Sequence, residues 1–251
     1  MKKIGILFLL ICLLTGCAAA QAAVLPDGLT VIEAQAFEDN AALTGVLSLP
    51  DRVSEVGTDA FSGTGLFAMN LPAATNRLGR QAFQNAAYLH IKNPDIVLEG
   101  LTGVHCLIGP GLSLVQDYAE DNDLLFVSET YLNEHDGYLY QEKDTEWMLI
   151  CARDASSIGT SVTIPAQIDG RYVTSVTDFA FLGCTGLKEI RLPALLEEMV
   201  PADAFKDCKD ARIVYYDDSQ DLQVLSVDAD ISAGKVAIRS PGRWKPGLLP
   251  P

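Results

Sequence analysis

Apolar residues return along this chain at a nearly fixed spacing. In the second half, Ala180-Phe181 recurs as Ala204-Phe205, and Cys184 recurs as Cys208, both 24 residues later. Two independent landmarks therefore agree on one period. A period of roughly 20 to 29 residues with regularly placed Leu and Ile predicts a solenoid, in which each repeat forms one coil that stacks on the next.

The first part of the chain carries the same repeat. Leu-Pro pairs end at Pro26, Pro50 and Pro72, and Ala-Phe pairs end at Phe37, Phe61 and Phe83. The distance from Pro to Phe is 11 residues in all three coils, which fixes a common register. Pro and Gly interrupt every coil, and this predicts short strands and turns. After Phe83 the repeat weakens, because the next Ala-Phe site reads Val104-His105.

The strand of each coil is expected just before its proline. Alternation from Glu189 to Pro193 places Ile190 and Leu192 inside the coil. Glu189 and Arg191 then point outward, and stacked strands form a parallel sheet with outward positions in every coil. The same offsets give the outward positions Val46, Ser48, Ala68, Asn70, His90, Lys92, Thr163, Glu189 and Arg191.

The polar members of these outward positions form the candidate binding face. They are Ser48, Asn70, His90, Lys92, Thr163, Glu189 and Arg191. Because the set is mixed and only weakly charged, a solvated sheet face without a partner is the alternative interpretation. Substitutions at exposed positions usually change stability little, so their effect is expected on binding.

Two segments break the repeat. Apolar residues between Ser113 and Asn122 have helical spacing, which predicts a short amphipathic helix covering the end of the first array. Residues 129–153 predict a β-hairpin, with strands around Tyr138 and Trp147 and a polar turn near Lys143-Asp144. The predicted fold class is a β-rich α/β solenoid, with two short arrays of coils separated by the hairpin.

The first residues have the pattern of an export signal. Two lysines precede an apolar run, Ile4 to Leu14, which is too short to span a bilayer comfortably. Leu14-Thr15-Gly16-Cys17 follows and resembles the lipobox of bacterial lipoproteins, which makes Cys17 the expected lipid-attachment residue. Acyl chains would anchor the exported protein at the bacterial cell envelope. The alternative is an ordinary signal cleaved near Ala18 to Ala20.

These patterns divide the chain into six parts. They are a lipoprotein signal peptide with its lipobox (1–17), a tether (18–24), a first array with its terminating helix (25–128), the hairpin insert (129–153), a second array (154–216) and a partly disordered C-terminal tail (217–251).

The net charge of the chain limits the classes of partner that it is expected to bind. The formal net charge is -15, and it falls to about -17 without the leader, from 16 basic and 33 acidic residues. So acidic a chain disfavours nucleic acid, and it disfavours membrane contact other than through the lipid anchor.

Four cysteines remain after the leader: Cys106, Cys151, Cys184 and Cys208. We expect reduced thiols inside the coils, where cysteine serves as a small apolar group. A bridge between Cys184 and Cys208 is the alternative, since equivalent positions of neighbouring coils lie about 5 Å apart.

No catalytic residue, metal ligand or cofactor is predicted, and the chain is expected not to be an enzyme. His105-Cys106 is the one Cys/His pair, but adjacent residues on a strand point to opposite faces. The run Glu120 to Asp123 offers oxygen ligands, yet it lacks the glycine and final glutamate of a calcium-binding EF-hand loop. A polar cap at the end of the predicted helix is the preferred interpretation.

The coils together resemble the BspA-like leucine-rich repeat family over residues 25–94 and 158–213. The shared elements are Leu-x-x-Ile-x-Leu-Pro, the Ala-Phe pair and the following cysteine. This resemblance implies a surface-exposed or secreted bacterial protein that binds a protein or glycan on a host, a matrix or a neighbouring cell. The alternative is a structural or assembly component of the cell envelope with no soluble ligand.

Overall fold

A computed structural model describes residues 25–196 and 200–216, together with three short strands between residues 225 and 236. The chain divides into two compact units, Met1–Leu132 and Asn133–Pro251. The predicted signal peptide and tether, and most of the tail after residue 216, lie outside the described residues.

The first unit consists of coils that contribute strands to two parallel sheets. Its elements are β1 (Val31–Ile32), β2 (Thr44–Ser48), β3 (Glu55–Val56), β4 (Gly65–Leu71), β5 (Arg77–Leu78), β6 (Tyr88–Ile91), β7 (Val97–Leu98), β8 (Cys106–Gly109), the helix α1 (Leu114–Asp121), β9 (Leu125–Ser128) and a 3-10 turn (Glu129–Tyr131). The longer strands β2, β4, β6, β8 and β9 form one sheet in that order, and β1, β3, β5 and β7 form the other. The predicted parallel β-solenoid is therefore confirmed.

Stacked phenylalanines fill the interior of the first unit. The ring centroids of Phe37 and Phe61 are 5.0 Å apart, and those of Phe61 and Phe83 are 4.9 Å apart, with nearly parallel planes. Val104 is buried in the same core, and β8 still pairs with β6. In this register Gln84 lies opposite Thr102, so the fourth coil is shorter than predicted and Leu101, not His105, takes the position that follows Phe83.

The predicted terminating helix is present as α1. The hydroxyl of Ser113 caps it by accepting a hydrogen bond from the N–H of Gln116, and Val115 and Ala119 are buried. Asn122 ends the helix, as its side chain donates to the carbonyl of Tyr118. No helix in the described ranges is long and apolar enough to cross a membrane.

The second unit begins with the predicted hairpin and continues with further coils. Its elements are β10 (Leu132–His135), β11 (Tyr138–Lys143), β12 (Glu146–Ala152), a 3-10 turn (Ala155–Ser157), β13 (Ser161–Thr163), β14 (Gln167–Ile168), β15 (Arg171–Val176), β16 (Glu189–Pro193), two 3-10 turns (Ala194–Leu196 and Ala202–Phe205), β17 (Arg212–Tyr216), β18 (Leu225–Ser226), β19 (Ala229–Asp230) and β20 (Lys235–Val236). One sheet has the order β13, β16, β17, β18, and another has the order β10, β11, β12, β15, β14. β19 and β20 pair with each other.

The hairpin packs against the coil that follows it. Its second strand, β12, pairs in parallel with β15, and the N–H of Ala152 donates to the carbonyl of Ala180 at 3.2 Å. The ring of Tyr138 meets Phe181 edge-on, with centroids 5.8 Å apart. The hairpin therefore occupies the place that a preceding coil would take and covers the end of the second array, as solenoid ends require.

The extra residues in the second array form a tight turn. Asp169 and Gly170 both have positive φ, 49° and 78°, and they connect β14 to the antiparallel β15. An Asp-Gly pair of this kind favours a two-residue hairpin turn. The insertion is thus absorbed as a small hairpin, and the coil regains its register at Ala180-Phe181.

Candidate functional site

The outer side of the sheet in the second unit carries three of the candidate residues. Thr163 of β13 and Arg191 of β16 lie opposite each other in the strand register, and Glu189 is two residues from Arg191 on the same strand. Thr163 is exposed, whereas Glu189 and Arg191 are half-buried. We call these three residues the second-array face. Ile190, between them, is fully buried in the interior, as the alternation requires.

Arg191 has an unsatisfied donor on this face. Its guanidinium Nε is buried and has no hydrogen-bond partner among the described residues. Elsewhere in the described part of this unit, ion pairs join Arg153 to Glu134, Arg171 to Glu142 and Lys188 to Asp210. An arginine presents a planar set of donors that suits a carboxylate. Because Nε itself is enclosed, a group from outside the chain can reach only the solvent-exposed part of the half-buried Arg191 side chain.

The sheet of the first unit carries the other four candidates, Ser48, Asn70, His90 and Lys92, which we call the first-array face. The side-chain amide of Asn70 donates to the hydroxyl of Ser48 at 2.9 Å, across two neighbouring strands. The imidazole Nε2 of His90 lies 2.5 Å from a carboxylate oxygen of Glu129. Lys92 is exposed just after β6. The structure thus joins Ser48 to Asn70 and gives His90 a partner that its sequence neighbourhood does not contain.

The prediction that all outward positions of the first sheet are exposed is wrong for Ala68. Ala68 is 1% exposed, although its neighbour Asn70 reaches the surface. The aromatic ring of Tyr88 lies beside it in the register, and this ring meets Phe67 edge-on at 6.3 Å. Alternation predicts the side of the sheet that a residue faces, but it cannot predict whether large neighbours cover a small one.

The same sheet side is also closed further along. Cys106 and Ile108 of β8 follow Tyr88 and His90 in the register, and both are at most 1% exposed. In the first unit the open part of the sheet is therefore concentrated on the strands around Ser48 and Asn70.

Neither candidate for chemistry is supported by its surroundings. Burial raises the pKa of the Cys106 thiol well above its ordinary value, which keeps it protonated and makes it a poor nucleophile. At the other candidate, the carboxylate of Glu120 accepts a hydrogen bond from the side-chain amide of Gln116, and Asn122 caps the helix. In the described ranges, no group of three or more His, Cys, Asp or Glu side chains is arranged to hold a metal ion.

The four cysteines of the described region are buried and form no disulfide, as expected for reduced thiols. The Sγ atom of Cys208 lies 3.6 Å from the carbonyl oxygen of Cys184 in the neighbouring coil. Burial raises the pKa of Cys184 to about 11 and that of Cys208 to about 12. These side chains fill the interior of the coils and are not available at the surface.

The fold and its repeat define a leucine-rich-repeat solenoid. The sequence profile of the BspA type leucine rich repeat region matches residues 13–96 and 156–224, with six copies of the repeat. These matches cover more than half of the chain, and the protein belongs to this family.

Three solved structures are similar to this chain at low identity. A leucine rich cell surface protein from Faecalibacterium prausnitzii is 16% identical over 78% of this chain and 68% of that one, with a TM-score of 0.31. A leucine-rich repeat protein from Eubacterium ventriosum is 15% identical over 77% of this chain, with a TM-score of 0.33, and one from Bacteroides ovatus is 16% identical over 75%, with a TM-score of 0.24. This chain spans 59% and 58% of the length of those last two. No curated protein matches the chain.

Proposed function

We propose that this protein is a lipid-anchored bacterial surface protein that binds a protein or glycan through the outer sides of its sheets. The partner would be carried by a host, a matrix or a neighbouring cell. The observation that carries the proposal is the second-array face itself, where the exposed Thr163 lies opposite the half-buried Arg191 and Glu189 is two residues from Arg191 on the same strand. A partner carboxylate or carbonyl would engage the solvent-exposed part of the Arg191 side chain.

The surroundings of Arg191 favour a binding role. Thr163 is exposed beside it and offers a hydroxyl, and Glu189 offers an acceptor on the same strand. Donors and acceptors of both kinds on a rigid sheet suit recognition of a polar surface, since the strands hold them at fixed spacing. A half-buried arginine also resembles the residues that contribute most to protein interfaces.

A binding experiment with matched variants tests this surface. The chain from residue 18 onward would be probed on an array of matrix proteins and glycans. We expect that Glu189→Lys and Arg191→Glu weaken the binding at least tenfold without lowering Tm. Lys143→Glu serves as the control, because Lys143 is exposed and lies at the end of the hairpin, away from the second-array face. Equal loss with the control variant would contradict the proposal.

A core variant separates binding from folding. Phe181 is fully buried and stacks on Phe205 with ring centroids 5.5 Å apart. Phe181→Ala should therefore cost about 3 to 5 kcal/mol of stability. If the variants at Glu189 and Arg191 lower Tm to a similar extent, the second-array face has been assigned to the wrong side.

The lipid anchor requires its own test. Cells expressing the protein would be labelled with radioactive palmitate, and we expect incorporation that Cys17→Ala abolishes. Protease added to intact cells should then remove the protein. Incorporation that is unchanged in Cys17→Ala would contradict lipid attachment at that residue.

The alternative proposal is a structural or assembly component of the envelope. Its distinguishing result is a lipid-labelled protein that external protease does not reach and that binds nothing on the array. Complete removal by external protease would instead favour the surface binding role.

A further inference from the structure

We propose that Leu112 and Leu114, at the loop that leads into α1, form a docking site for a cationic amphipathic segment of a partner protein. This site lies outside both sheet faces, so it does not depend on the function proposed above. The apolar side of the partner segment would cover the two leucines, and its lysine or arginine side chains would face the acidic residues around them.

Leu112 is presented to solvent by the loop that leads into α1. It is 99% exposed, and its φ of 54° lies in the left-handed region, which disfavours leucine and favours glycine. The backbone N–H of Leu112 donates to the side-chain carbonyl of Gln116 at 2.9 Å. Ser113 donates to the carbonyl of Pro110 at 2.6 Å while it caps the helix. The loop therefore holds a large apolar side chain in water in a strained conformation, and nothing within the described residues compensates by packing.

Leu114 extends the apolar surface. It is 49% exposed, and its N–H donates to the carbonyl of Pro94, which is itself exposed. Leu112, Leu114 and Pro94 are thus all exposed, and the backbone of Leu114 is hydrogen-bonded to that of Pro94. An exposed apolar group on a rigid support, next to a second, is the arrangement expected of a docking site.

The surrounding charge identifies the chemistry of the partner. Residues 93–132 contain seven Asp or Glu and no Lys or Arg. Asp95, next to Pro94, and Asp117 and Glu120 on α1 are exposed. A partner with Lys or Arg beside its apolar side would be attracted to this surface. An anionic membrane would be repelled, which is why we favour a cationic protein segment over a lipid surface.

A synthetic peptide provides the probe. The full chain would be titrated against a fluorescein-labelled amphipathic helix made of leucine and lysine, with fluorescence anisotropy as the readout. We expect saturable binding that weakens as salt is added. Leu112→Gly should weaken it at least tenfold while Tm is kept or raised, since glycine adopts this backbone conformation without strain. The charge reversals Asp117→Lys and Glu120→Lys should also weaken it and reduce its salt dependence.

Leu195→Gly is the matched control, because Leu195 is 56% exposed but belongs to the second unit. Three results would overturn the proposal. The first is a lack of saturable binding to the peptide. The second is equal weakening of binding by Leu112→Gly and Leu195→Gly. The third is a Leu112→Gly protein that still binds the peptide but has lost self-association or binding to phosphatidylglycerol vesicles.

Discussion

The carboxylate of Asp207 accepts a hydrogen bond of 2.8 Å from the backbone N–H of Gly183, one coil away. Gly183 has a φ of 70° and stands two residues after Phe181, and Asp207 stands two residues after Phe205. The bond therefore joins equivalent positions of neighbouring coils. The side-chain carboxylate of Asp207 thus takes the place of a backbone carbonyl as the acceptor for the N–H of Gly183.

A related pairing, with the order of the two coils reversed, occurs twice in the first unit. The carboxylate of Asp39 fills the space beside Gly63, and the side-chain amide of Asn85 fills the space beside Gly103. Both glycines have positive φ, 71° and 68°. All three pairs match an Asp or Asn with a glycine in a neighbouring coil. In the two pairs of the first unit, a Cβ atom on the glycine would lie within 2.5 Å of the partner side chain, so each turn has room for only one side chain.

Asp207→Ala should lower the stability of the second unit by about 1 kcal/mol, because it leaves the N–H of Gly183 without its charged acceptor. Chemical denaturation followed by circular dichroism would measure this. Asp210→Ala is the control, because Asp210 is exposed and its ion pair with Lys188 is at the surface, so Tm should not change. A similar loss in both variants would show that the bond to Gly183 contributes nothing specific.

The sequence predicts the fold correctly where a side chain can occupy only one environment, such as the interior of a coil. The phenylalanine of each coil must stack on the next, so the spacing of Phe37, Phe61 and Phe83 predicted the solenoid and its register. The helix was predictable for the same reason, as Val115 and Ala119 fall on one side of it. These predictions depend on periodicity, which a single sequence displays directly.

The functional surface was less predictable. Alternation placed Arg191 outward, but its buried Nε depends on the neighbouring strands. Ala68 was predicted to be exposed, and it is covered because of the rings of Tyr88 and Phe67. Leu112 had no sequence signal, since its exposure follows from the positive φ of a loop that no period describes. Contacts between residues distant in sequence decide all three cases.

Gly57→Ala should destabilise the first unit by about 2 to 3 kcal/mol. A Cβ atom at Gly57 would lie 2.4 Å from the backbone nitrogen of Ala34 in the preceding coil, and backbone cannot move aside as a side chain can. Gly159→Ala is the control, since a Cβ there would meet nothing within 4 Å. Thermal unfolding of both variants would measure the difference. Equal Tm values would mean that the coils are separated more widely than their hydrogen bonds indicate.

The stability of the second unit should fall as the pH rises above about 9. The pKa of Cys184 is about 11 and that of Cys208 about 12, against an ordinary value of 9.0. Between pH 9 and those values the unfolded chain loses these protons and the folded chain keeps them, so folding is disfavoured. Each thiol contributes a loss of up to about 1.4 kcal/mol per pH unit.

Thermal unfolding from pH 8 to 10 tests this dependence. Cys184→Ala with Cys208→Ala should flatten the slope, although both changes lower Tm at neutral pH because they leave small cavities. Cys106 in the first unit also has a pKa raised by burial and contributes in the same direction. A profile that is equally steep with and without the two thiols would contradict the assignment.

Tyr140→Phe should leave the protein as stable as before or make it more stable by about 1 kcal/mol. The hydroxyl of Tyr140 is buried without a hydrogen-bond partner among the described residues, and burial raises its pKa well above the ordinary value. Removing an unsatisfied buried hydroxyl while keeping the ring removes a desolvation cost and preserves the packing.

Tyr216→Phe is the opposite case, because the hydroxyl of Tyr216 donates to the carbonyl of Ile164 at 2.7 Å. That change should cost about 1 kcal/mol, and denaturant unfolding of the two variants side by side would compare them. If Tyr140→Phe proves the more damaging, a water molecule must satisfy its hydroxyl inside the second unit, since an ordered water would supply the missing partner.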